Sequence, residues 1–168
     1  MADNLNFNSG ITINLSPATG LVAGATSTYT TTATTNCVIN GKPTTALTAQ
    51  TAQPTPTTDA TTGLAFNALA PNQCCSLVFG LNAAGAIRMS QGKIIGTNPG
   101  VTTTVGALLN DPAFPALPDD FCPLGYTVVR TAPSAAAWIP GTGAWTASGV
   151  SASTFQPVAQ LPNRPQAS

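Results

Sequence analysis

The chain has 168 residues, enough for one domain or one domain with an extended arm, and a chain of that size buries roughly 68–70% of its unfolded surface without needing covalent staples. Only 6% of its residues are charged, against about 25% in ordinary soluble domains, and it has no His, no Glu and a formal net charge of zero. Five scattered cations, Lys42, Arg88, Lys93, Arg130 and Arg164, make no basic patch, which argues against nucleic acid as a partner.

The opening MADNLNFNSG has neither the positive n-region nor the apolar core of a secretory signal. No run reaches the roughly 20 apolar residues of a membrane span. The expectation is synthesis in the cytoplasm, no membrane partner, and thiols that stay reduced there.

Residues 4–17, NLNFNSGITINLSP, alternate: Leu5, Phe7 and Ser9 point one way and Asn4, Asn6 and Asn8 the other, with Ile11, Ile13 and Leu15 continuing an apolar register after Gly10. That pattern predicts a β-strand, or an extended arm waiting for a sheet. Residues 27–41, STYTTTATTNCVING, are rich in β-branched side chains and read as strand closed by the turn pair Asn40-Gly41. The following stretch holds Pro43, Pro54 and Pro56 and few large apolar residues, so it reads as a loop with one short strand around Thr45 to Gln50. It divides an extended Thr/Ala-rich N-terminal segment, 1–53, from a main β domain, 54–168.

From Leu64 the apolar content rises. CSLVFGL (75–81) puts Leu77, Phe79 and Leu81 on one face and Ser76, Val78 and Gly80 on the other; NAAG supplies a turn; AIRMSQGKII resumes with Ile87 and Met89 opposite Arg88 and Ser90. Alternation, a Gly-containing turn and alternation again predict a hairpin. TTTVGALLNDP offers at most a turn or two of helix before Asp111-Pro112. GYTVVRTA and STFQPV read as strands, and WIPGTGAWTASGV as two short strands around a Gly-rich turn. Six to nine short strands with Gly/Pro punctuation predict an all-β sandwich or barrel of antiparallel strands.

Groups able to do chemistry are few. Without imidazole there is no Ser-His-Asp or Cys-His pair, and the commonest metal ligand is missing. Cys37, Cys74, Cys75 and Cys122 contain no C-x-x-C, so structural zinc has poor support and small buried hydrophobes are the favoured reading. A disulfide from Cys37 or Cys122 to one of the adjacent pair is left open. Asp119 and Asp120 are neighbours that diverge in an extended chain, which suits turns rather than a glycosidase pair. GTG at 141–143 is too short for a nucleotide loop. Thr-rich stretches share no period, which argues against an ice-binding lattice. No catalytic, metal or cofactor site is expected.

Low charge has two readings. Disorder goes with low hydrophobicity and high net charge, whereas 43% of these residues are hydrophobic. The other reading is a surface covered by partner subunits, where charge is costly to desolvate.

Three segments in order, PTTDATTGLAFNALAPNQCCSLVFGLNAAGAIRMSQGKI, LPDDFCPLGYTVVRTA and VAQLPNRP, resemble virion structural proteins of tailed bacteriophages, of the capsid decoration (cement) or head-fibre type. The likeness covers roughly residues 54 to 165. It implies a non-enzymatic coat component on the outside of an icosahedral shell, a homotrimer, with the major capsid protein as partner and the virion surface as its location. An N-terminal arm, Asn4, Leu5, Phe7, Ile11, Ile13 and Leu15, would lie on neighbouring capsid subunits. Leu77, Phe79, Ile87 and Met89, or the aromatics Tyr126, Trp138, Trp145 and Phe155, would form either the core or the trimer face. The alternatives are a fibre or tail appendage contacting the host, and an extracellular carbohydrate-binding or adhesin module using those aromatics.

Overall fold

The computed structural model describes residues 11–17 and 20–166. Among them there is no helix, and twelve strands form three antiparallel sheets. The chain is all-β, a sandwich of short strands.

The central sheet is built on two long neighbours, β7 (Gln73–Asn82) and β10 (Phe121–Thr131). Each outer row is shared by two shorter strands. β8 (Ile87–Gln91) and β9 (Ile95–Gly96) flank β7, while β11 (Val150–Ala152) and β12 (Gln156–Pro157) flank β10. Two small sheets come from the N-terminal part. One joins β1 (Ile13–Asn14), β4 (Cys37–Ile39) and β5 (Lys42–Pro43); the other joins β2 (Val22–Ala23), β3 (Thr28–Thr31) and β6 (Gln50–Pro54).

Turn chemistry explains the predicted Asn40-Gly41 turn and the predicted hairpin after β7. Asn40 and Gly41 have φ of 50° and 76°, the paired left-handed residues of a type I′ turn between β4 and β5. Between β7 and β8, Gly85 (φ 79°) donates its N–H to Asn82 O at 2.9 Å, and Asn82 Oδ1 accepts from Ala86 N at 2.9 Å. Glycine supplies the left-handed residue that returns the chain into the ladder.

The alternation in β7 predicts one apolar and one polar face, yet the strand is buried on both. One face carries Leu77 and Phe79 into a core shared with Leu21, Tyr29, Trp138, Trp145 and Phe155. Phe79 sits at its centre, 5.2 Å edge-on from Phe155 and 6.3 Å from Tyr29. Trp145 Nε1 donates to Thr28 O at 3.1 Å, so the indole is satisfied while buried. The opposite face packs Val78, Phe121 and Tyr126 under Phe114, Leu117, Val158 and Leu161. Gly80 lies there because the Phe121 ring covers it: an added Cβ would fall 2.5 Å from Cys122 O. Ser76, the polar member of this face, donates to Ala113 O at 2.6 Å.

Other elements depart from their sequence patterns. Residues 102–112 form no helix; Thr97 bridges Leu108 and Val101 bridges Thr104 instead. Around Thr45 to Gln50 only an isolated Thr35–Leu47 bridge precedes β6. In the Trp138–Val150 stretch only the end enters a strand, β11. Residue 53 falls inside β6, and Leu21 and Tyr29 share a core with Phe79, so the core runs continuously across that position.

Candidate functional site

Among the described residues, the thiols are buried and the carboxylates are buried, ion-paired or set in turns. Among the described residues, no three His, Cys, Asp or Glu side chains cluster as metal ligands would. Asp119 and Asp120 are exposed in the turn that Phe121 N–H closes on Pro118 O at 3.1 Å, and Asn40 Nδ2 bonds the Asp119 carbonyl at 3.1 Å. Asp111 forms an exposed ion pair with Arg164. Among the described residues Asp59 is the buried carboxylate: Oδ1 accepts from the N–H of Thr61 (2.7 Å) and Thr62 (3.1 Å), and Oδ2 from Gln91 N–H (2.9 Å). Sequence reading missed that role. The signal was Asp before Ala-Thr-Thr-Gly, an Asx turn whose side chain caps the following amides.

All four thiols are free and buried. Cys75 enters the aromatic core, where burial pushes its thiol up to about 12 despite a hydrogen bond from Gln91. Burial also raises Cys74, although the nearby Arg130 charge opposes it. Cys37 and Cys122 meet each other in a third cluster with Ile39, Leu81 and Leu124, away from the adjacent pair.

The candidate arm divides. Asn4, Leu5 and Phe7 lie outside the described residues. Ile13 and Asn14 are in β1, held on one side by β4 and on the other by the C-terminal segment, through Asn14 N–H to Ala159 O at 3.0 Å. With both backbone edges engaged, alternation decides the side chains. Asn14 turns inward and is 1% exposed, while Ile11 and Leu15 stand outward at 52% and 58%, with Ile13 half-buried between them. The result is a small apolar ribbon on a surface nearly without charge.

The other candidate residues go inside. Leu77, Phe79, Met89, Tyr126, Trp138, Trp145 and Phe155 are buried within the single chain and Ile87 is half-buried, so they are core and not an open face. No Trp, Tyr or Phe among the described residues is fully exposed.

A second surface feature is a cleft of about 540 Å3 lined by Leu21 to Gly24, Val150 to Phe155, Trp145 and Thr146. Its two walls are edge strands of different sheets, β2 and β11. Gly24 N–H bonds Thr28 O at 2.8 Å and Ser153 N–H bonds Val128 O at 2.8 Å. By antiparallel alternation, the N–H and C=O of Ala23 and of Ala152 then face away from their ladders. Such an edge can accept an extended segment by backbone pairing.

No family model, no curated protein and no solved structure matches this chain.

Proposed function

We propose that this protein is a non-enzymatic component of a phage virion, a decoration protein that binds the outer surface of an icosahedral shell and stabilises it. The observation that carries this reading is the outward Ile11–Leu15 ribbon on a strand fixed from both sides: an apolar contact surface presented rigidly, on a nearly uncharged molecule. Rigid presentation lowers the ordering cost of association, and few charges lower the desolvation cost. A protein that binds only the assembled shell stabilises it by mass action, whatever its own fold.

The shell protein is the partner in this reading, and residues before Ile11 extend the contact. The edge strands β2 and β11 offer a second place for a neighbouring strand. A homotrimer would be built from exposed surface such as Leu64, Val101 or Leu109, because the aromatic cluster is consumed inside each chain. A fibre or tail appendage is the second reading within the same class. The burial of the aromatics favours either over a sugar-binding module.

The deciding experiment quantifies this chain against the major shell protein in purified particles from its source. Abundance comparable to the shell protein is expected. A few copies per particle would replace decoration with the appendage reading, and absence from particles would overturn both.

A further inference from the structure

The fold brings together two cysteines that the sequence keeps far apart. Cys37 lies on β4 of the small N-terminal sheet and Cys122 on β10 of the central sheet. Both side chains enter one apolar cluster with Ile39, Leu81 and Leu124, at 1% and 0% exposure; within it the Cys37 thiol donates to Asn14 Oδ1 at 4.0 Å and the Cys122 thiol to Pro123 O at 3.9 Å. A bulge aims Cys122 there. The register shifts between Pro123 and Gly125, leaving Leu124 as an extra residue, so Cys122 shares the face of its partner Leu81 and not that of Tyr126. Two thiols packed into one small cluster, on strands of different sheets, are placed so that bonding would join those sheets.

We propose that Cys37 and Cys122 are a disulfide-forming pair that cross-links the N-terminal sheet to the central sheet when the reduced protein meets a low-molecular-weight disulfide such as oxidised glutathione. The two thiols are unequal. The neighbouring Cys122 thiol draws Cys37 below the ordinary thiol value, and the same proximity, with burial, drives Cys122 well above it. Cys37 also sits on a three-residue strand whereas Cys122 is in the long central β10, so Cys37 is the thiol reached first and the attacking thiolate. It displaces one glutathione thiolate and becomes a mixed disulfide. Cys122 then loses its proton to solvent, attacks the Cys37 sulfur and expels the second glutathione thiolate. Two protein thiols are oxidised, and one small disulfide is reduced to two thiols.

Access comes from the N-terminal sheet itself. β5 is two residues and β4 three, at the side of the sheet away from β1, so this side opens locally while β1 stays tied to the C-terminal segment through Asn14. Cys74 and Cys75 are excluded as partners. They are sequence neighbours on β7 pointing to opposite faces, and Cys75 is enclosed in the aromatic core.

The test treats the whole reduced chain with oxidised glutathione, in buffer and again in sub-denaturing urea, and reads disulfides by mass spectrometry of a non-reducing digest. The expected result is a protein lighter by two hydrogens, peptides containing Cys37 and Cys122 linked to each other, and a Tm higher by about 5–10 °C. The Cys74→Ala/Cys75→Ala double variant keeps the link, and Cys37→Ser or Cys122→Ser loses it. A link through Cys74 or Cys75, a stable glutathione adduct on Cys37, or no link in either condition would overturn the proposal. None of these outcomes depends on whether the chain belongs to a virion.

Discussion

Asn14 and Val158 join the two ends of the described chain: Asn14 Nδ2 donates to the Val158 carbonyl at 3.0 Å, while Asn14 Oδ1 accepts from Ser16 N–H at 2.9 Å. The side chain is 1% exposed, so it fastens β1 beneath the C-terminal segment instead of leaving it as a free arm. Replacing Asn14 by Ala strands a carbonyl and an amide and should lower stability by about 1–3 kcal/mol. Urea unfolding measures it; an unchanged midpoint would show that β1 contributes nothing to the fold.

The same geometry dictates how the contact surface should be tested. Deleting residues through 15 would remove Asn14 and confound attachment with folding. The Ile11→Ser/Leu15→Ser double variant changes only outward side chains, so its stability should stay within about 0.5 kcal/mol of the parent. Sedimentation with undecorated shells should show at least a tenfold loss of affinity, about 1.4 kcal/mol. Retained binding by a folded double variant would remove the ribbon from the interface.

Asp59 is a fold-holding carboxylate. It gathers three backbone amides, tying the 59–62 turn to the end of β8. Asp59→Ala should cost about 1.5–3 kcal/mol, the range for hydrogen bonds to a charged group. Thermal unfolding at neutral pH reads the effect, and a variant as stable as the parent would refute this role.

Cys75 imposes an alkaline limit. Its thiol is pushed up to about 12 by burial, against about 8.5 in an unfolded chain. A raised acid group keeps its proton better when folded. Its contribution is therefore full below about pH 8.5 and is lost between there and about 12, at roughly 1.4 kcal/mol per pH unit. Stability measured from pH 8 to 11 should fall more steeply for the parent than for Cys75→Ala. Parallel curves would mean that the thiol does not couple to unfolding.

Local chemistry made much of the fold legible. The Asn40-Gly41 and Asn82–Gly85 turns need residues that tolerate positive φ, and the alternating runs around them are long enough to declare strands. The all-β class follows from that punctuation. Partners in space are a different matter. Period-two reading puts Cys122, Leu124, Tyr126 and Val128 on one face of β10. The bulge at Leu124 sends Cys122 to Leu81 and Tyr126 to Val78, and nothing in the spacing announces it.

The candidate surface divides along the same line. By itself the sequence determined that Ile11, Ile13 and Leu15 share a face, because strand geometry is local. Only the tertiary structure decided that this face points outward while the Phe79–Trp145 aromatics turn in. That choice rests on Asn14 finding Val158 and on Trp145 finding Thr28, contacts 144 and 117 positions apart. Contacts at such separations form because burying a polar group requires a partner wherever the chain can bring one.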